Sequence, residues 1–130
     1  MATTGNYAST PRGGQAQISA ANTARDGTGT LVTVFAGAAT GSRVDDIVFI
    51  ATGTTTAGMI RLFVSYDNGV TNRLFREIPV TAVTPSGTVQ AFTTMLTNVG
   101  LLLPNANALL RAATNNAETF NVIVANAGDF

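Results

Sequence analysis

MIRLFVSYDNGVTNRLFREIPV, Met59 to Val80, decides how this chain reads. Strand-favouring residues run from Met59 to Tyr66 and again from Asn72 to Val80, with Asp67-Asn68-Gly69 between them. An Asn-Gly step between two such runs is a strong short-range signal for a β-hairpin. One register sets Ile60, Leu62, Val64 and Tyr66 opposite Ile78, Arg76, Leu74 and Asn72. It also sets Arg61 opposite Glu77 and Phe63 opposite Phe75. A one-residue slip puts Arg61 against Arg76 and Ile60 against Glu77. Cross-strand pairs alone favour the first register by ~1 kcal/mol. In that register Arg61 and Glu77 form an exposed or rim pair, worth little to stability. Phe63 and Phe75 form a packing pair. Arg73 and Arg76 have no partner inside the hairpin.

The same period of two runs outward from the hairpin. Gln15 to Asn22 reads as a weak strand and Thr30 to Ala36 as a good one, with the turn Arg25 to Gly29 between them. Ser42 to Thr52 follows; its apolar run from Ile47 to Ala51 predicts burial on both faces. Beyond the hairpin, Val89 to Thr97, Val99 to Leu103, Ala108 to Thr114 and Thr119 to Ala127 read as short strands. Turn residues separate them every eight to twelve positions, a spacing that predicts an all-β fold. The expected architecture is an antiparallel β-sandwich or jelly-roll-like barrel of about eight strands. Residues 1–14 are polar and rich in Gly and Pro. They read as an extended N-terminal arm, either unstructured alone or ordered on a neighbouring subunit. Residues 15–130 read as one sandwich domain.

Composition bounds the function. Of 130 residues, 45% are hydrophobic and only 11% charged, against ~25% charged in a typical domain. All seven basic residues are arginine, and seven acidic residues bring the formal net charge to zero. A nucleic-acid binder gains affinity by releasing counterions to an excess of positive charge, and this chain has no excess. No basic face for a membrane surface is legible either. A weakly charged surface with no net charge tends to associate, so the chain is expected to be covered by copies of itself or by another surface.

Catalytic equipment is sparse. There is no Cys, His or Lys, which removes the commonest general base and two nucleophile types. Thiolate and imidazole metal sites are excluded with them. Asp45 and Asp46 are adjacent, so on a strand they point to opposite faces. Without a bulge they cannot converge on one substrate, and Arg43 is a same-face partner for Asp45. Asp67-Asn68-Gly69 begins like a calcium loop but lacks its later ligands. Asn115, Asn116 and Glu118 are read the same way, as a turn. No enzyme activity and no cofactor are expected. The N-terminus lacks the basic and apolar regions of a signal peptide, and no run approaches a membrane span.

Three segments together resemble a group of small proteins encoded among the structural genes of tailed bacteriophages. They are GTTTAGMIRLFV (Gly53 to Val64), RLFREIPV (Arg73 to Val80) with TPS (Thr84 to Ser86), and LLRAATNNAETFNVIVANAGDF (Leu109 to Phe130). The resemblance covers about the C-terminal two-thirds and rests on strand and turn residues, with no chemical motif. It implies a virion component assembled in the bacterial host cytoplasm, similar to head decoration or cement proteins that bind the outside of the capsid. Such proteins are small, β-rich and often trimeric. The expected partners are therefore copies of the chain itself, as a homotrimer, and the major capsid protein or another virion protein. A tail, head-fibre or connector role is the alternative within that group; a glycan- or receptor-binding sandwich is the alternative outside it. Thr3, Thr4, Tyr7, Arg12, Arg73 and Arg76 are the candidate subunit or capsid contacts.

Overall fold

A computed structural model describes residues 9–130. It contains nine β-strands, and no helix is present among the described residues. They are β1 (Thr10–Ile18), β2 (Val32–Ala36), β3 (Ser42–Ala51), β4 (Gly58–Ser65), β5 (Arg73–Val80), β6 (Thr93–Leu96), β7 (Leu101–Leu103), β8 (Leu109–Thr114) and β9 (Phe120–Asp129). The strands form two antiparallel sheets packed as a β-sandwich. One runs β1-β9-β3-β6, with β7 also on β3; the other runs β2-β8-β4-β5.

Alternation along the strands builds the core. Ile47 and Phe49 of β3 and Val122 and Val124 of β9 face inward from the first sheet. Ile60 and Leu62 of β4, Leu110 and Ala112 of β8, and Ile78 and Val80 of β5 meet them from the second. Phe92 and Phe120 meet edge to face, with ring centroids 6.3 Å apart, a favoured aromatic geometry. The sheets close together where β1 meets β2. A Cβ added at Gly14 would lie 2.9 Å from the Val34 carbonyl oxygen, so only glycine allows this approach.

β1 begins at Thr10, inside the segment read as an extended arm. Residues 10–18 pair with β9 from Asp129 to Phe120. Pro11, Gly13 and Gly14 made this segment look unstructured; long-range pairing with β9 outweighs that local composition.

The central hairpin keeps the expected register only as far as Leu62. Ile60 opposes Ile78, Arg61 opposes Glu77 and Leu62 opposes Arg76. Phe63 then opposes Leu74 and Val64 opposes Arg73. Phe75 is the extra residue of a β-bulge, so the expected Phe63–Phe75 pair does not form. The bulge lets Phe75 pack against the core, while Phe63 lies on the opposite face of its sheet.

That face is covered by the chain itself. Residues 19–31, between β1 and β2, cross it as a strap. Ala21 bridges Thr114, and Arg111 Nη2 donates to the Leu31 carbonyl at 3.0 Å. Gly27 adopts a positive φ of 88°, and a Cβ there would sit 2.1 Å from the Asn72 carbonyl oxygen. Under the strap Phe63 is wholly buried.

Candidate functional site

The candidate residues fall into three groups. Thr3, Thr4 and Tyr7 lie outside the described residues. Arg12 is engaged within the chain. Arg73 and Arg76 project from an edge strand.

Arg12 fastens one end of the sandwich. Its Nε donates to Asp129 Oδ1 at 3.0 Å, and its Nη2 donates to the Ala36 carbonyl and to Ser42 Oγ. The guanidinium also stacks on Phe35, 4.0 Å from the ring centroid. Four strands meet in this one side chain, so its structural role accounts for it without an outside partner. The Ser42 hydroxyl donates to Asp129 Oδ1 at 2.6 Å. That bond, and the Arg12 guanidinium beside it, hold the Asp129 carboxyl below its ordinary range.

Arg73 and Arg76 stand on β5, an edge of the four-stranded sheet. Both are exposed, and among the described residues neither has an ion pair. Arg76 lies over the Phe75 ring at 5.3 Å. Arg73 borders a cleft of about 400 Å³ whose other walls are Val64, Tyr66, Asp67 and Thr71. Tyr66 and Leu74 are exposed alongside. β5 resists further strand pairing, because Pro79 has no N–H to give and the Phe75 bulge twists the edge. This edge therefore presents side chains, not a free strand ladder, to the outside. Guanidinium groups free of internal partners form strong paired hydrogen bonds with carboxylates.

Arg61 and Glu77 oppose each other as expected, but not as a rim pair. The Arg61 side chain is only 4% exposed. Its Nε donates to Glu77 Oε2 at 2.9 Å, its Nη1 to Asn115 Oδ1 at 3.0 Å and to the Asn22 carbonyl. Arg25, from the strap, donates to the same Glu77 oxygen at 2.7 Å. The hydrogen bond from Arg25, then that from Arg61, lowers the Glu77 carboxyl. A hairpin read alone shows this pair at a sheet surface; the strap that covers it comes from elsewhere in the chain. The isolated Arg between Ile60 and Leu62 is the one sequence signal of a buried charge.

The other acidic residues have separate duties. The β3 ladder is irregular at Asp45 and Asp46, yet the two carboxylates do not converge. Asp45 accepts from Arg43 at 2.9 Å, while Asp46 Oδ1 accepts from the Asn98 amide. Asp67 caps its own turn: the Thr71 amide and the Ser65 hydroxyl donate to it and lower its carboxyl. Glu118 Oε2 accepts from the amide and the hydroxyl of Thr56. Among the described residues no group of three His, Cys, Asp or Glu is placed to hold a metal ion. No helix among them is long and apolar enough to cross a membrane.

No protein-family model matches the chain. No curated protein matches it either.

Proposed function

We propose that this chain is a non-enzymatic structural component of a tailed-phage virion, a decoration or cement protein bound to the outside of the capsid. The observation that carries the reading is the β5 edge. Arg73 and Arg76 are two exposed cations without ion partners among the described residues, on a chain of zero net charge. Elsewhere the arginines are largely spent on internal contacts. An edge of this kind suits an acidic, rigid partner surface. The resemblance of Gly53–Val64, Arg73–Val80 with Thr84–Ser86, and Leu109–Phe130 to phage structural proteins supplies the partner class, the major capsid protein or another virion protein. The proposed partners include further copies of the chain.

The test is co-sedimentation of the purified protein with undecorated capsids at micromolar concentration. The protein is expected to pellet only when capsids are present. Arg73→Glu with Arg76→Glu is expected to weaken binding by roughly tenfold or more, as loss of paired charge contacts does. A protein that stays in the supernatant at every concentration sinks the reading. Copy number on the intact particle separates decoration, with many copies over the shell, from a connector or fibre with a single ring's worth. Saturable binding on a glycan array would favour the receptor-binding alternative.

A further inference from the structure

The sandwich treats its two outward faces differently. The strap covers the face of the β2-β8-β4-β5 sheet, burying Phe63 and Arg61. No segment among the described residues crosses the outward face of the other sheet. There the strand registers align Gln15, Ile123, Val48 and Met95 in one row across four strands. Two residues further along, on the same face, Gln17, Asn121, Ile50 and Thr93 form the next row. Met95 is 51% exposed and Ile123 37%. Neither row holds a charge. Arg43, Asp45 and Asp46 are confined to one end of the face.

We propose that this face is an interface between copies of this chain, packed sheet on sheet about a two-fold axis through the Val48–Met95 region. Its chemistry selects a second copy over a foreign, charged surface. A charged partner would lose water here and gain no counter-charge, a net cost. A copy of a chain with zero net charge brings no such cost and no long-range repulsion. The face is also arranged to match itself. Ile123, Val48, Met95 and Ile50 form an aliphatic patch across β9, β3 and β6, so a two-fold axis there stacks aliphatic on aliphatic. The amides are Gln15 and Gln17 of β1 and Asn121 of β9; Gln17 Nε2 already donates to Asn121 Oδ1 at 2.9 Å, which lowers the cost of taking that pair out of water.

The area is sufficient. β9 and β3 run ten residues, β1 nine and β6 four; at ~4.8 Å between strands and ~3.4 Å per residue they give a face of roughly 540 Å² in projection. Stacked on a copy of itself it covers roughly 1,100 Å² in total, just above the ~1,000 Å² that a specific interface needs, and a corrugated face exposes more than its projection. Two such sheets stack about 10 Å apart. The contact is isologous, so it produces dimers or even-numbered assemblies built from them. This differs from the trimer implied by the resemblance, and it does not rest on the virion reading.

The test needs no capsid. Native mass spectrometry and sedimentation velocity of the wild-type chain at micromolar concentration are expected to show a dimer. Met95→Lys with Ile123→Lys is expected to raise the dimer dissociation constant at least a hundredfold, with an unchanged circular-dichroism spectrum. Arg73→Glu with Arg76→Glu, off this face, should leave it unchanged. The chain has no cysteine, so a single introduced thiol reports on proximity. A short bis-maleimide, which spans the ~10 Å between stacked sheets, is expected to link Met95→Cys into a covalent dimer, and Val70→Cys, in the exposed β4–β5 turn, is not. If the double lysine variant fails to fold, the thiol pair decides. A strictly monomeric wild type, a trimer, or a dimer untouched by the lysine pair overturns the proposal.

Discussion

At the scale of single residues, the chain's few charges do unequal work. Arg61 is nearly inaccessible and satisfies Glu77, Asn115 and the Asn22 carbonyl together. Removing it strips packing from its stem and leaves acceptors without a donor. Arg61→Ala should therefore cost about 3 kcal/mol of stability. Arg43 also forms an ion pair at 2.9 Å, but half of its side chain is in water. Arg43→Ala should cost no more than ~0.5 kcal/mol, the usual worth of an exposed pair. Urea denaturation of the two variants measures both, and equal midpoints would contradict this ranking.

At the scale of elements, the strap from 19 to 31 is the least expected feature. It has few apolar residues, and polar contacts hold it. Asn22 Nδ2 donates to the carbonyls of Thr28 and Thr30, and Arg25 ties it to β5. Its close approach at Gly27 leaves no room for a side chain. Gly27→Ala meets both the Asn72 backbone and an unfavourable φ, and should cost roughly 1–3 kcal/mol. The loss should be local. Amide hydrogen exchange in residues 19–31 should quicken while β3 and β9 stay protected. Uniformly faster exchange across the sandwich would mean that the strap is not a separable unit.

At the scale of the whole molecule, acid is the natural stress. Asp26, Asp67, Glu77 and Asp129 all have lowered carboxyl pKa values in the fold, through hydrogen bonds from Thr28, Thr71, Arg25 and Ser42 respectively. Since folded values lie below unfolded ones, the unfolded chain binds protons first as pH falls. The stability these groups contribute is complete above their unfolded values near ~4 and is lost as pH drops through the folded ones. With no His, Cys or Lys, the melting temperature should be nearly flat from about pH 6 to 9 and fall below about pH 5. Asp129→Asn should shrink the drop between neutral and acid pH. A pH profile sloping through neutrality would contradict this.

The sequence by itself determined the all-β class, most strand positions, the central hairpin with its Arg61–Glu77 pair, and the absence of Cys, His and Lys. These follow from residue type and a period of two, which are local properties. Tertiary structure decided what lies on top of each strand. The bulge at Phe75 broke the expected aromatic pair because Phe75 reaches the core only by leaving its place opposite Phe63. The strap turned a presumed rim pair into a buried network. The partner strand β9 drew residues 10–14 out of the presumed arm. These features bring together residues from 11 to 119 positions apart in the chain, which meet only when the sheets form. The outward face of the β1-β9-β3-β6 sheet was hidden for the same reason: its uncharged rows exist only once four distant strands are aligned in register.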